Sequence, residues 1–142
     1  MRLAGRIGGV VGAVLGVMAV AGPALAGITQ YECRFAQEPA RGGGWIPEML
    51  VLTDDDKTGE TMVYDPIIKH FVGVPIKAKL EARTKSRATF SWEVKIEVRG
   101  QYSRMAYTFS HLSNGQAARM TARPGGYDNS FSGEGTCKVS KG

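Results

Sequence analysis

Ten consecutive residues set the architecture of this chain. Phe90, Trp92, Val94, Ile96 and Val98 alternate with Ser91, Glu93, Lys95, Glu97 and Arg99. Successive side chains on a strand point to opposite faces, so this segment puts five large apolar groups on one side and polar groups on the other. At the helical period the same residues would scatter around the axis. A strand with one buried and one wet face belongs to an antiparallel sheet.

The rest of the chain repeats this period in shorter pieces. Ile76, Ala78, Leu80 and Ala82 alternate with Lys77, Lys79, Glu81 and Arg83. These are good helix formers, but the alternation predicts a strand. A three-residue loop, Lys85-Ser86-Arg87, would pair this strand with the long one. Ala82 would then face Phe90, Leu80 face Trp92 and Ala78 face Val94, with Arg83 on the outer face. Slipping the register by four would set Arg83 against Glu93 but leave Phe90 in the loop. An exposed ion pair contributes about 0–1 kcal/mol and burial of a large side chain about 1.5–3 kcal/mol, so burial decides.

Further strands are expected over Tyr31–Phe35, Met49–Leu52, Thr61–Tyr64, Arg104–Ser110, Ala118–Ala122 and Phe131–Val139. Asn114-Gly115 is a strong hairpin signal between two of them. Pro47, Pro66 and Pro75 belong on edges, strand starts or bulges, and Asp65 to Pro75 reads as an irregular excursion or a short edge strand. About eight strands with short connections predict an all-β fold, a small antiparallel up-and-down barrel with a β-sandwich as the alternative.

The N-terminus has the three parts of an export signal. Arg2 and Arg6 are basic, Ile7 to Gly22 is uncharged and apolar, and Ala24-Leu25-Ala26 follows Pro23. Glycines at 8, 9, 12, 16 and 22 dilute the apolar run, which weighs against a membrane anchor. Residues 1–26 are therefore read as a cleavable signal peptide, and 27–142 as a single all-β domain with no transmembrane segment. The expected location is periplasmic or secreted. Without Arg2 and Arg6 the basic count falls from 18 to 16 against 13 acids, a net charge of +3. That balance is too mild to point to nucleic acid.

Cys33 and Cys137 are the two cysteines, one near each end of the expected domain. In an oxidising compartment they read as one disulfide joining the first and last strands. Two free thiols are the alternative, without the support of a Cys-x-x-Cys motif. A seam between first and last strands favours the closed barrel.

No catalytic motif and no resident metal or cofactor is legible. Asp54, Asp56, Thr58 and Glu60 fall at positions of a calcium loop, with Gly59 and Asp65 nearby, but their flanks read as strands rather than helices. They are kept as a weak calcium candidate beside the reading of a plain acidic turn. His70 and His111 read as ordinary polar residues at strand ends; an enzyme site would need both, together with acids.

The candidate contacts for a ligand or partner are Trp45, Trp92, Lys77, Lys79 and Arg83. Lys77, Lys79 and Arg83, continued by Lys85 and Arg87, form a basic run suited to an anionic envelope component or another exported protein. Trp45 ends the Gly42-Gly43-Gly44 loop, where it can plug the barrel or line a mouth for a small apolar ligand. Small inward residues such as Ala118, Ala122, Gly133 and Gly135 are expected to accommodate the aromatics rather than leave a cavity.

Tyr31-Glu32-Cys33 and the terminal Cys137 resemble the plan of the small periplasmic inhibitors of c-type lysozyme, exported β-barrels whose ends a disulfide joins. The resemblance covers only the ends of the chain. The inhibitors' Ser-Gly-containing loop and Trp-x-Lys-Gly segment have no counterpart here, so no functional residue is carried over. The expected function is a non-catalytic binding or accessory domain of the cell envelope or secreted space. Inhibition of an extracellular hydrolase such as a lysozyme, through Asp65–Pro75 or Ala36–Trp45, is the alternative.

Overall fold

Eight antiparallel strands close into one barrel in a computed structural model that describes residues 27–113 and 115–142. The expected export signal lies outside the described residues, as does Asn114 of the expected Asn-Gly turn. The strands are β1 (Ile28–Phe35), β2 (Met49–Asp55), β3 (Glu60–Tyr64), β4 (Ile76–Arg83), β5 (Arg87–Val98), β6 (Gln101–Leu112), β7 (Ala117–Pro124) and β8 (Phe131–Lys141). Each pairs with the next in sequence, and β8 returns to β1. In that seam Cys33 stands directly opposite Cys137, and the two are disulfide-bonded.

The barrel is filled by the residues the alternation turned inward. Phe90, Phe109, Tyr107, Leu52, Val94, Met105 and Met120 are almost wholly buried. Phe90 stacks on Phe109 at 6.1 Å, and Tyr31 meets Phe90 edge-on at 5.6 Å. Such aromatic pairs add to burial about 0.5–1.5 kcal/mol each.

Two short helices depart from the all-strand expectation. Helix α1 (Pro39–Gly42) lies within the β1–β2 connection, and α2 (Pro66–Phe71) within β3–β4. Both carry proline in the first turn, where its missing N–H costs nothing. Asp65 caps α2 by accepting from the Ile68 backbone N–H at 2.7 Å. The segment Asp65–Pro75 is thus a capped helix and a turn, not an edge strand, and Ile68 is fully buried.

The meander fixes which connections share an end. The β1–β2, β3–β4, β5–β6 and β7–β8 connections lie together, so α1 and α2 plug one end of the barrel. Glycine makes room there. A Cβ on Gly133 would approach Ile46 Cγ2 to 2.7 Å, so the missing side chain seats Ile46 of the plug. A Cβ on Gly135 would lie 2.0 Å from the Arg34 carbonyl oxygen, so β8 passes β1 only because that side chain is absent.

The register of β4 on β5 differs from expectation. Leu80 faces Phe90, Ala82 faces Thr89 and Arg83 faces Ala88, with a bulge between Leu80 and Ala82. A bulge inserts an extra residue into one strand and shifts the facing of those beyond it. Arg83 therefore shares the inner side of Ala88 instead of the outer face with the lysines. Thr84 Oγ1 holds the turn by accepting from Arg87 N at 3.1 Å. Leu80 remains partly exposed rather than packed on Trp92.

Candidate functional site

The end opposite the plug closes over a polar cluster. Asp54, at the end of β2, is buried. It accepts from Thr61 Oγ1 at 2.9 Å and from the Arg83 guanidinium. The ion pair and hydrogen bonds offset the cost of burying the carboxylate. Tyr31 adjoins the pair, and burial raises its phenol above the ordinary value. His111 packs edge-on to Tyr31 at 5.3 Å, and its Nε2 has no hydrogen-bond partner among the described residues. Burial lowers its pKa, which favours the neutral ring.

This cluster separates the residues of the acidic turn. Asp54 points inward to Arg83, whereas Asp56, Thr58 and Glu60 are exposed on the β2–β3 hairpin. The turn is organised by Asp55, whose Oδ1 accepts from Lys57 N at 3.0 Å. Among the described residues no three His, Cys, Asp or Glu side chains are grouped to hold a metal ion. The two histidines are also apart: His70 lies on α2 at the plugged end and His111 near the opposite end of β6.

The candidate contacts disperse in a similar way. Lys77 and Lys79 are exposed on β4, but Arg83 no longer stands with them, for the bulge turns it to Asp54. Trp92 is a core residue stacked on Tyr107 at 5.8 Å. Trp45 is half-buried at the plugged end against Phe71, and its carbonyl accepts from the Tyr107 hydroxyl at 2.9 Å.

Trp45 does adjoin an open cleft of about 1110 Å³ at the plugged end. One wall is the β5–β6 hairpin and the other is the segment from Pro124 to Phe131. The hairpin extends past its neighbours. It is laddered from Arg87↔Leu112 to Val98↔Gln101, whereas the pairing of β4 with β5 stops at Ser91 and that of β7 with β6 at Met105. The cleft carries the cations Lys95, Arg99 and Arg104 and no carboxylate. Four aromatic residues join them: Trp45, Tyr102, Tyr127 and Phe131.

Lys95 and Arg104 face each other directly across the two strands. Like charges so placed repel. Lys95 Nζ lies 4.5 Å from the centre of the Tyr102 ring, and Arg104 reaches Glu93 at 3.8 Å with both side chains largely exposed. The cation–π contact leaves the Lys95 charge in place, and the exposed Glu93 contact offsets Arg104 only weakly.

Sequence reasoning passed over Arg99, Tyr102, Arg104 and Tyr127. The usable signal was Arg99-Gly100 between two alternating runs, since an X-Gly pair there marks a two-residue hairpin loop. No protein-family model, curated protein or solved structure matches this chain.

Proposed function

We propose that this protein is a non-catalytic binding domain of the cell envelope or secreted space, and that the plugged-end cleft is its binding site. The observation that carries the reading is the lining: three cations and four aromatic side chains with no carboxylate among them. Concave sites with aromatic walls and a few convergent polar groups are where ligands bind. The barrel interior is filled with side chains, which supports a surface site over a buried one. The apolar N-terminal stretch and the Cys33–Cys137 disulfide support an exported setting. Among the described residues no helix is long and apolar enough to cross a membrane.

The test is amide NMR of the labelled protein against soluble fractions of its host's envelope. The reading expects a fraction that shifts resonances of Trp45, Tyr102 and Tyr127 together. It fails if no fraction perturbs the spectrum, or if the shifts fall on other faces of the barrel.

The alternative, inhibition of an extracellular hydrolase such as a lysozyme, draws on one feature, the reach of the β5–β6 hairpin beyond its neighbours. Each of the two segments first considered for that role is anchored at few points, Gly42 in Ala36–Trp45 and Asp65 and Ile68 in Asp65–Pro75, while most of its other residues are exposed. Stoichiometric loss of lysozyme activity, abolished by shortening the hairpin, is the expected result of that reading.

A further inference from the structure

Resting on the cleft as binding site, we infer that its ligand is an acidic polysaccharide, a glycan chain bearing carboxylates. Three observations converge on this chemistry. The first is the grouping of cations: Lys95 faces Arg104 across the ladder, Arg99 stands at the hairpin tip above them, and Glu93 reaches Arg104 through an exposed contact. An anion between these groups would relieve the repulsion, and guanidinium groups bind carboxylates through paired hydrogen bonds.

The second observation is backbone strain at the same place. Arg99 has φ 53° and is the one non-glycine residue with positive φ among the described residues. Gly100 follows with φ 77°, so both loop residues are left-handed, as a two-residue hairpin loop of this twist requires. Asn, Asp or Gly suits the first position better. An arginine held there at a cost, on the rim of a cleft already rich in cations, marks a position kept for its side chain.

The third observation separates a glycan from other polyanions. Tyr102 is 63% exposed and Tyr127 69% exposed, on opposite walls of the cleft. Exposed aromatic faces beside cations match a chain that alternates flat sugar faces with carboxylates. An acidic peptide has the charge but no rigid ring face. An anionic lipid surface needs a flat basic patch, whereas these cations line a concavity. A single-stranded nucleic acid also combines charge with flat faces, but the chain's modest net charge of +5 is a weak footprint for it.

The test is calorimetric titration of the exported protein, with Trp45 fluorescence as a second readout. The probes are an oligogalacturonate, its methyl ester, polyglutamate, an oligothymidylate and anionic phospholipid vesicles. The expected result is that oligogalacturonate binds, and that esterification weakens it about tenfold or more. Arg104→Gln and Tyr127→Ala are each expected to weaken binding at least about fivefold while leaving the thermal transition in place. Equal binding of polyglutamate, oligothymidylate or vesicles overturns the assignment, as does no binding of oligogalacturonate. If envelope fractions still shift the cleft resonances while oligogalacturonate does not bind, the binding function stands and the ligand class falls. If neither occurs, both fall.

Discussion

Arg83 and Asp54, 29 residues apart in sequence, form an ion pair that closes the polar end of the barrel. The pair exists because a bulge between Leu80 and Ala82 reverses the facing of β4 just before its end. Removing the arginine leaves a buried carboxylate with Thr61 as its remaining side-chain partner. Arg83→Ala is expected to destabilise the protein by about 2 kcal/mol, less than for a fully enclosed pair because the arginine is partly exposed. Arg83→Ala combined with Asp54→Asn should recover part of that loss. Urea denaturation of the single and double variants measures both.

Asp65 makes stability depend on pH. Burial pushes its carboxyl up to about 6 from 3.8, although the Ile68 and Ile67 backbone N–H groups favour the charged form. Between those values the native chain holds a proton that the unfolded chain has released. Stability from this group therefore falls as pH rises through the window, by at most about 3 kcal/mol. Asn retains the capping oxygen, so Asp65→Asn is expected to melt higher than the parent at pH 7.5 and close to it at pH 4. Thermal melts across pH 4–8, compared as parent minus variant, isolate the group.

His111 acts with the opposite sign. Its pKa is lowered from 6.5 by burial, so the unfolded chain takes up the proton first as pH falls through 6.5. Its contribution is lost below that point. His111→Phe keeps an aromatic ring against Tyr31 and is expected to be less sensitive to acid than the parent. The same melts read it.

Two glycines on β8 differ in what surrounds them. Gly135→Ala drives a methyl group into the Arg34 backbone, whereas Gly133→Ala meets a side chain, that of Ile46. Gly135→Ala is expected to cost about 3 kcal/mol or more and Gly133→Ala about 1 kcal/mol, by chemical denaturation. Equal losses would show that the β1–β8 seam has more slack than the structure gives it.

Arg99 offers a trade between stability and binding. Arg99→Asn fits the left-handed position and is expected to raise stability by about 1 kcal/mol. The same substitution removes a cation from the cleft. A variant that melts higher yet binds oligogalacturonate less tightly is the expected outcome, read by thermal melts and calorimetry.

The two-residue period of Phe90–Val98 and its shorter counterparts was enough to predict the all-β fold, the strands and the inward faces of those other than β4. That period is a local property: a strand with one oily face has few ways to bury it. The two cysteines predicted the seam for a comparable reason, since a closed meander brings first and last strands together. What the sequence could not show was the facing of Arg83 or the make-up of the cleft. The bulge in β4 is a matter of pairing with β5, and alternation alone carries no sign of an inserted residue. The cleft depends on how far the β5–β6 ladder outruns its neighbours, which brings Arg99 and Arg104 near Tyr127 of a distant connection. Strand identity follows from side-chain alternation along one segment, whereas register, bulges and clefts follow from what several segments do to one another once they pack.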